Sequence, residues 1–180
     1  MATKEAEEHR WYVLRDLKRP NAKLPAYKLL MAQSIKMFTP MRWVLVTHKG
    51  RKVREQRPFM PDLLFAYDTY SALERVVNMA DTLQFRYLKG VRRTPMVVPK
   101  EEMERFIRAV EASESPLFYM PDEVTPQMLG CRIRIIGGPL DGYEGSLLTI
   151  RGSKVKRLLV DLPGLLFTGV EVHPDYIQLV

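Results

Sequence analysis

Apolar and polar residues alternate most regularly in the last third of the chain. From Gly130 onward, Cys131, Ile133 and Ile135 alternate with Arg132 and Arg134, a period of two that predicts a strand with one buried face and places Cys131 in the core. Gly137, Gly138, Pro139, Gly142 and Gly145 follow. Glycine permits positive φ and proline fixes its own, so this block predicts a tight structured turn. Ser146–Ile150, Val155–Leu162, Leu165–Val172 and Tyr176–Val180 read as further strands, with turn signals at Gly152-Ser153 and Pro163-Gly164. Short strands at this spacing predict a small five-stranded, all-β barrel.

The first half of the chain mixes two periods. Arg10–Asp16, Arg42–Thr47 and Leu63–Tyr67 are aromatic or β-branched and predict strands; Gln84–Leu88 and Met96–Val98 predict two shorter ones. A helix capped by Asn21, with Pro25 in its first turn, is expected to run to Met37. Ser71-x-x-Glu74 matches a capping box and predicts a second helix, with Leu73, Val76, Val77 and Ala80 inward. After Pro99, Glu101 and Glu102 suit a helix N-terminus, and Met103, Phe106, Ile107 and Val110 recur at helical spacing. The order β-α-β-β-α-β-α predicts an α+β sandwich, a mostly antiparallel sheet flanked by helices. Ala112–Met128 holds three prolines and neither period, so residues 114–128 read as a linker between domains at 1–113 and 129–180.

Charge changes this picture in one respect. The net charge of +7 is the sum of +9 over Met1–Arg57 (14 basic, 5 acidic), −3 over Pro58–Leu129 (8 and 11) and +1 over Gly130–Val180 (6 and 5). The basic excess therefore belongs to the N-terminal third and suggests an anionic partner. Lys49, Arg51, Lys52 and Arg54 fall between the strands at Arg42–Thr47 and Leu63–Tyr67, and predict a hairpin with a long basic tip that contacts nucleic acid.

Chemistry of other kinds has little to stand on. His9, His48 and His173 lie in unrelated contexts, the single cysteine has no neighbouring partner, and neither metal spacing nor a phosphate-binding glycine loop occurs. The expectation is a binding protein with no cofactor, not an enzyme. One cysteine and no apolar N-terminal segment or membrane-length run suggest a cytoplasmic protein, read as a monomer.

The string from Arg132 through GGPLDGYEG to the next strand resembles the KOW motif shared by NusG-type transcription factors and some ribosomal proteins. The WYVL strand, the segment Phe59–Phe65 (FMPDLLF) and the Pro95–Pro99 entry to the last helix resemble the NusG N-terminal domain. Asp62-Leu63 in place of a Gly-Tyr pair, QFRYLKG, and the run from LQF to VVPKEEMERFI look like the specialised RfaH and UpxY paralogues, the latter acting as antiterminators of capsular polysaccharide operons. The resemblance implies an elongation or antitermination factor. It implies that an apolar depression formed by Leu63, Phe65 and Leu88, with Tyr87 adjacent, holds the clamp helices of RNA polymerase. Tyr70, Ser71 and Leu73 would touch the opposite side of the polymerase cleft. Lys18, Arg19 and Lys23 would meet non-template DNA, with Tyr27 reading splayed bases; nascent RNA is the other nucleic-acid candidate. The KOW domain, marked by Gly138, Pro139, Gly142 and Gly145, would contact Rho or a ribosomal protein. Its turn residues favour a permanent barrel over the helical hairpin to which RfaH's can convert. A ribosome-associated RNA-binding KOW protein is the alternative.

Overall fold

The computed structural model describes residues 7–17 and 24–180. The chain divides into two compact units, Met1–Lys100 and Glu101–Val180. The first contains β1 (Arg10–Asp16), α1 (Ala26–Ala32), β2 (Lys36–Phe38), β3 (Met41–His48), β4 (Arg51–Pro58), β5 (Leu64–Asp68), α2 (Tyr70–Met79), β6 (Leu83–Phe85) and β7 (Val97–Val98). The helix α3 (Lys100–Glu111) starts at the boundary. It leads into β8 (Leu117–Tyr119), β9 (Leu129–Ile135), β10 (Glu144–Leu148), β11 (Arg157–Leu162), β12 (Leu166–Glu171) and β13 (Ile177–Leu179).

In the first unit β1 is the central strand. It pairs antiparallel with β5 along one side and with β6 and β7 along the other, and β2 covers the outer edge of β5. Tyr12 and Leu14 face α1 and α2, in a core with Leu30, Leu64, Ala66, Leu73, Val76 and Phe85. Trp11 and Val13 alternate to the other face and are buried as well. Burial on both faces is why this strand reads as a continuous apolar run. Each such side chain contributes about 1.5–3 kcal/mol when withdrawn from water.

Both helix starts differ from expectation. Asn21 lies outside the described residues, and α1 begins at Ala26 after Pro25. Its first amide is satisfied by a distant group: the buried Asp16 carboxylate accepts from the Ala26 N–H at 2.6 Å. The helix stops at Ala32, Ser34 turns left-handed (φ 58°), and Lys36–Phe38 pairs with β5 instead of continuing the helix to Met37. In α2 the N-cap is Thr69, whose hydroxyl accepts from Ala72 N–H at 3.3 Å, so Ser71 sits inside the helix. Glu74 accepts from the Tyr70 hydroxyl at 3.0 Å.

The hairpin is also built differently. The residues expected as a long basic tip form β4, which pairs with β3 from Met41 opposite Pro58 to His48 opposite Arg51. The turn is only Lys49 and Gly50, at φ 47° and 79°, the left-handed pair a two-residue hairpin favours. β5 pairs with β1 and β2, not with β3. β4 has no buried residue, so no apolar alternation marks it as a strand.

The second unit carries one antiparallel sheet in the order β13-β9-β10-β11-β12-β8, with a core that includes Ile133, Ile135, Leu158, Val160, Leu162, Leu166 and Val170. Five strands fall where the pattern put them. The sixth, Leu117–Tyr119, arises within the segment read as a linker, pairs with β12 and buries Phe118. Cys131 is exposed, contrary to expectation. The pairing of β9 with β10 shifts register between Ser146 and Leu148, and β9 is buried only at Ile133 and Ile135. The alternation that holds for the isoleucines is lost on the cysteine side of that shift.

Candidate interaction surfaces

The residues expected to meet polymerase separate into two sets. Leu63, Phe65 and Leu73 are at most 1% exposed and belong to the core. Phe65 packs its ring 6.3 Å from that of Phe38. Tyr70 is half-buried, its ring stacked on Phe85 at 5.1 Å, and burial followed by the Glu74 contact pushes its phenol pKa up. Ser71 is exposed, and its N–H is bound by the Glu7 carboxylate at 3.1 Å.

Tyr87 and Leu88, by contrast, are 47% and 41% exposed. β6 ends at Phe85, and the chain runs out to a turn closed by Tyr87 bridging Pro95 and by Leu88 N–H donating to Thr94 C=O at 3.0 Å. Val91 is exposed on the same excursion, beside Lys89, Arg92 and Arg93, and Val97 is exposed on β7, which follows it. Its base is held firmly. Arg86 N–H donates to Val13 C=O at 2.8 Å, and the Arg86 guanidinium reaches both the backbone and the carboxylate of Asp62 at 3.3 Å. Asp62, next to buried Leu63, is thereby tied to the exposed pair. The result is a braced loop that exposes apolar side chains interspersed with cations.

Lys18, Arg19 and Lys23 lie outside the described residues. Tyr27 is half-buried on α1, with Lys28 Nζ 6.0 Å from its ring centroid. Lys49, Arg51, Lys52 and Arg54 come together on the hairpin, all exposed, with Lys49 in the turn and the others on β4. Glu55 is bracketed by Arg57 at 3.3 Å and His48 at 3.6 Å, and the Arg57 hydrogen bond holds its carboxyl below the usual range. Sequence reasoning placed Trp43 in a strand without assigning it a role; it is 49% exposed on this hairpin. The signal available was an aromatic residue in a strand whose neighbour in sequence is almost wholly cationic.

In the second unit the glycine turn connects β9 to β10. Gly137 N–H donates to the Asp141 carboxylate at 2.5 Å, and Gly142 N–H to Ile135 C=O at 2.8 Å. Gly138 has φ 69°, and a Cβ there would meet the Tyr176 ring at 3.0 Å; Pro139 follows it in the turn. Gly145 has another reason to be glycine, because a Cβ would come 2.5 Å from the carbonyl oxygen of Leu159. Beyond the turn, Tyr143 donates its hydroxyl to Arg105 C=O at 2.9 Å, and the Arg105 guanidinium lies over the Tyr143 ring at 5.0 Å and donates to Glu144 C=O. α3 is therefore fastened to the start of β10. The Glu144 carboxylate is hydrogen-bonded by Arg134 and faced by Arg132 at 3.6 Å, which together hold it below the usual carboxylate range.

Among the described residues no three His, Cys, Asp or Glu side chains gather as a metal site, and no helix is long and apolar enough to cross a membrane. The architecture is an α+β unit followed by a small β unit. Residues 9–107 match the family model described as transcription termination factor NusG. That match covers more than half of the chain, which belongs to the NusG family. A solved structure of Thermotoga maritima NusG, described for its domain interaction, is similar at 19% identity, covering 96% of this chain and 98% of that one, with a TM-score of 0.49. Comparison with curated proteins gave no match.

Proposed function

We propose that this transcription factor acts by binding RNA polymerase through the Tyr87–Leu88 patch and nucleic acid through its basic N-terminal third. The observation that carries this reading is the pairing of exposed apolar side chains, Tyr87, Leu88, Val91 and Val97, with a loop braced by Arg86. A rigid patch with an aromatic member is what a partner's helices can bury with little ordering cost. Leu63 and Phe65, as core residues, would shape this surface, the former through its neighbour Asp62. The start of α2, with Tyr70 half-buried, Ser71 exposed and Leu73 buried beneath them, would supply a second polymerase contact. Spanning both would hold the clamp closed and oppose pausing.

The departures at Asp62-Leu63 and QFRYLKG support a specialised paralogue serving particular operons, capsular polysaccharide operons among them. Lys18, Arg19 and Lys23 would recruit it through non-template DNA. The β unit, with its turn at Gly138–Gly145, would meet Rho or a ribosomal protein. The factor would work in the cytoplasm, without a cofactor.

The test is Tyr87→Ala with Leu88→Ala in the full chain. Because both side chains are exposed, the melting curve should stay in place while affinity for RNA polymerase falls by about 1–3 kcal/mol. A folded variant with unchanged affinity would move the interface elsewhere. Sedimentation with ribosomal subunits, and no association with polymerase, would support the ribosomal reading instead.

A further inference from the structure

The β3–β4 hairpin has a property that its charge alone does not explain. Alternation puts Trp43, Leu45 and Thr47 of β3 on one face, and the register brings Gln56, Arg54 and Lys52 opposite them on that same face. Trp43 is 49% exposed and Leu45 63% exposed, and neither strand pairs with any other among the described residues. The Arg54 guanidinium lies over the Trp43 ring at 5.0 Å from its centroid, which fixes the indole while leaving about half of the side chain open. Lys52 and Arg54 are the charged residues of this face and no carboxylate shares it; Arg42, Arg51 and Arg57 lie on the opposite face with Glu55, which Arg57 and His48 engage, and Lys49 sits in the turn.

An exposed indole is costly to leave in water and is more often found against a partner. The surrounding charge decides which partner. A protein surface able to bury the indole would have to offset this cationic excess, whereas a nucleic-acid strand brings phosphates for the cations and flat bases for the ring. Stacking requires a base free of its own duplex stack. We propose that the Trp43 face of the hairpin is a stacking platform for single-stranded nucleic acid, one unpaired base resting on the indole while Arg54 and Lys52 hold the adjacent phosphates. This rests on the reading of the hairpin as a nucleic-acid contact and adds the base, the strandedness and the residue. It gives affinity for any base, since every base has a π face, without choosing a sequence.

The chain offers its own reporter. Its two tryptophans are Trp11, 1% exposed, and Trp43. Bases cannot reach Trp11, so quenching of intrinsic fluorescence on adding nucleic acid reports Trp43. The experiment titrates the full chain with a short oligothymidine of about a dozen nucleotides and with a duplex of the same length, at several salt concentrations. The single strand is expected to quench emission, and the duplex to bind at low salt without quenching. Affinity followed by anisotropy of the labelled strand should fall roughly tenfold in Trp43→Ala and in Trp43→Leu, and be retained in Trp43→Phe, with the salt slope unchanged in all three. In Trp43→Phe the remaining Trp11 emission should no longer respond.

Binding of the single strand without quenching, or equal affinity for Trp43→Leu and the parent chain, overturns the platform and leaves the basic hairpin standing as a phosphate contact. Absence of any single-strand binding overturns both. Quenching by RNA polymerase free of nucleic acid, with none by the oligonucleotide, assigns this face to a protein partner and likewise overturns the proposal.

Discussion

At the scale of single residues, the β unit contains two glycines that should fail for different reasons. Gly145 faces the Leu159 carbonyl, and an added Cβ would lie 2.5 Å from that oxygen, inside paired strands that cannot part easily. Gly142 has φ 79° and open space around it, so a Cβ there meets only backbone strain. Gly145→Ala should therefore destabilise the second unit by about 1–3 kcal/mol, as overpacking does. Gly142→Ala should cost about 1–2 kcal/mol, the left-handed penalty. Urea unfolding measures both losses; a Gly145→Ala variant as stable as the parent would mean that β10 shifts to accommodate the methyl group.

Glu144 gives a residue-scale prediction in pH. Its carboxyl is held low by the Arg134 hydrogen bond, then by the charges of Arg134 and Arg132. A carboxyl whose folded pKa lies below its unfolded value contributes stability above the unfolded pKa and loses it as pH falls through the folded one. Glu144→Gln should thus be less stable than the parent at neutral pH, and the two should converge as pH drops below the usual carboxylate range. Thermal melts across that window check this, and a gap that persists in acid would mean packing rather than charge. The site is exposed and salt will shrink the effect.

Among the elements, the hairpin separates electrostatic from apolar binding. Arg51, Lys52 and Arg54 are exposed on β4 and engage no core. Each phosphate neutralised on a single strand contributes about 0.7 to the slope of log K against log salt, so removing all three cations should flatten it by about 1.4 if only Lys52 and Arg54 of the Trp43 face hold phosphates, and by roughly 2 if Arg51 of the opposite face does so too. An unchanged slope would make β4 a solvated edge. The same strand shows why its cations carry no strand signal in the sequence. Strand patterns are visible when one face is buried, and in β4 none of Arg51 to Pro58 is. What forms the strand is the pairing with β3 and the left-handed Lys49-Gly50 turn.

For the whole molecule, the question is where the second unit begins. The family match runs from residue 9 to 107 and so reaches into α3, while Arg105 of α3 makes polar contacts to Tyr143 and Glu144. β8 adds three paired residues along β12, and Ser113 Oγ accepts from Glu171 N–H at 3.4 Å, continuing the same edge. A fragment spanning 101–180 should therefore unfold cooperatively and at a higher temperature than one spanning 128–180, which leaves the β12 edge unpaired and Phe118 absent. Equal melting temperatures would return Leu117–Tyr119 to the role of a linker.

The unfolded chain already displays the elements that carry a buried face: β1 with WYVL, the stripe of α3, and the strands and glycine turns of the β unit. In each, period and punctuation are local properties, so the chain displays them before it folds. It also determined the family, through segments such as FMPDLLF whose order survives in one dimension. Tertiary structure alone decided what depends on a distant partner. Asp16 caps α1 from ten residues away, Lys36–Phe38 leaves the helical path because β5 offers an edge, and Leu117–Tyr119 is a strand only beside β12. It likewise decided which candidate contacts are surface. Leu63 and Phe65 share apolar character with Leu88 and Trp43, and the folded chain withdraws the first pair while leaving the second in water. Hydrophobicity is a property of the side chain, whereas exposure belongs to the packing around it.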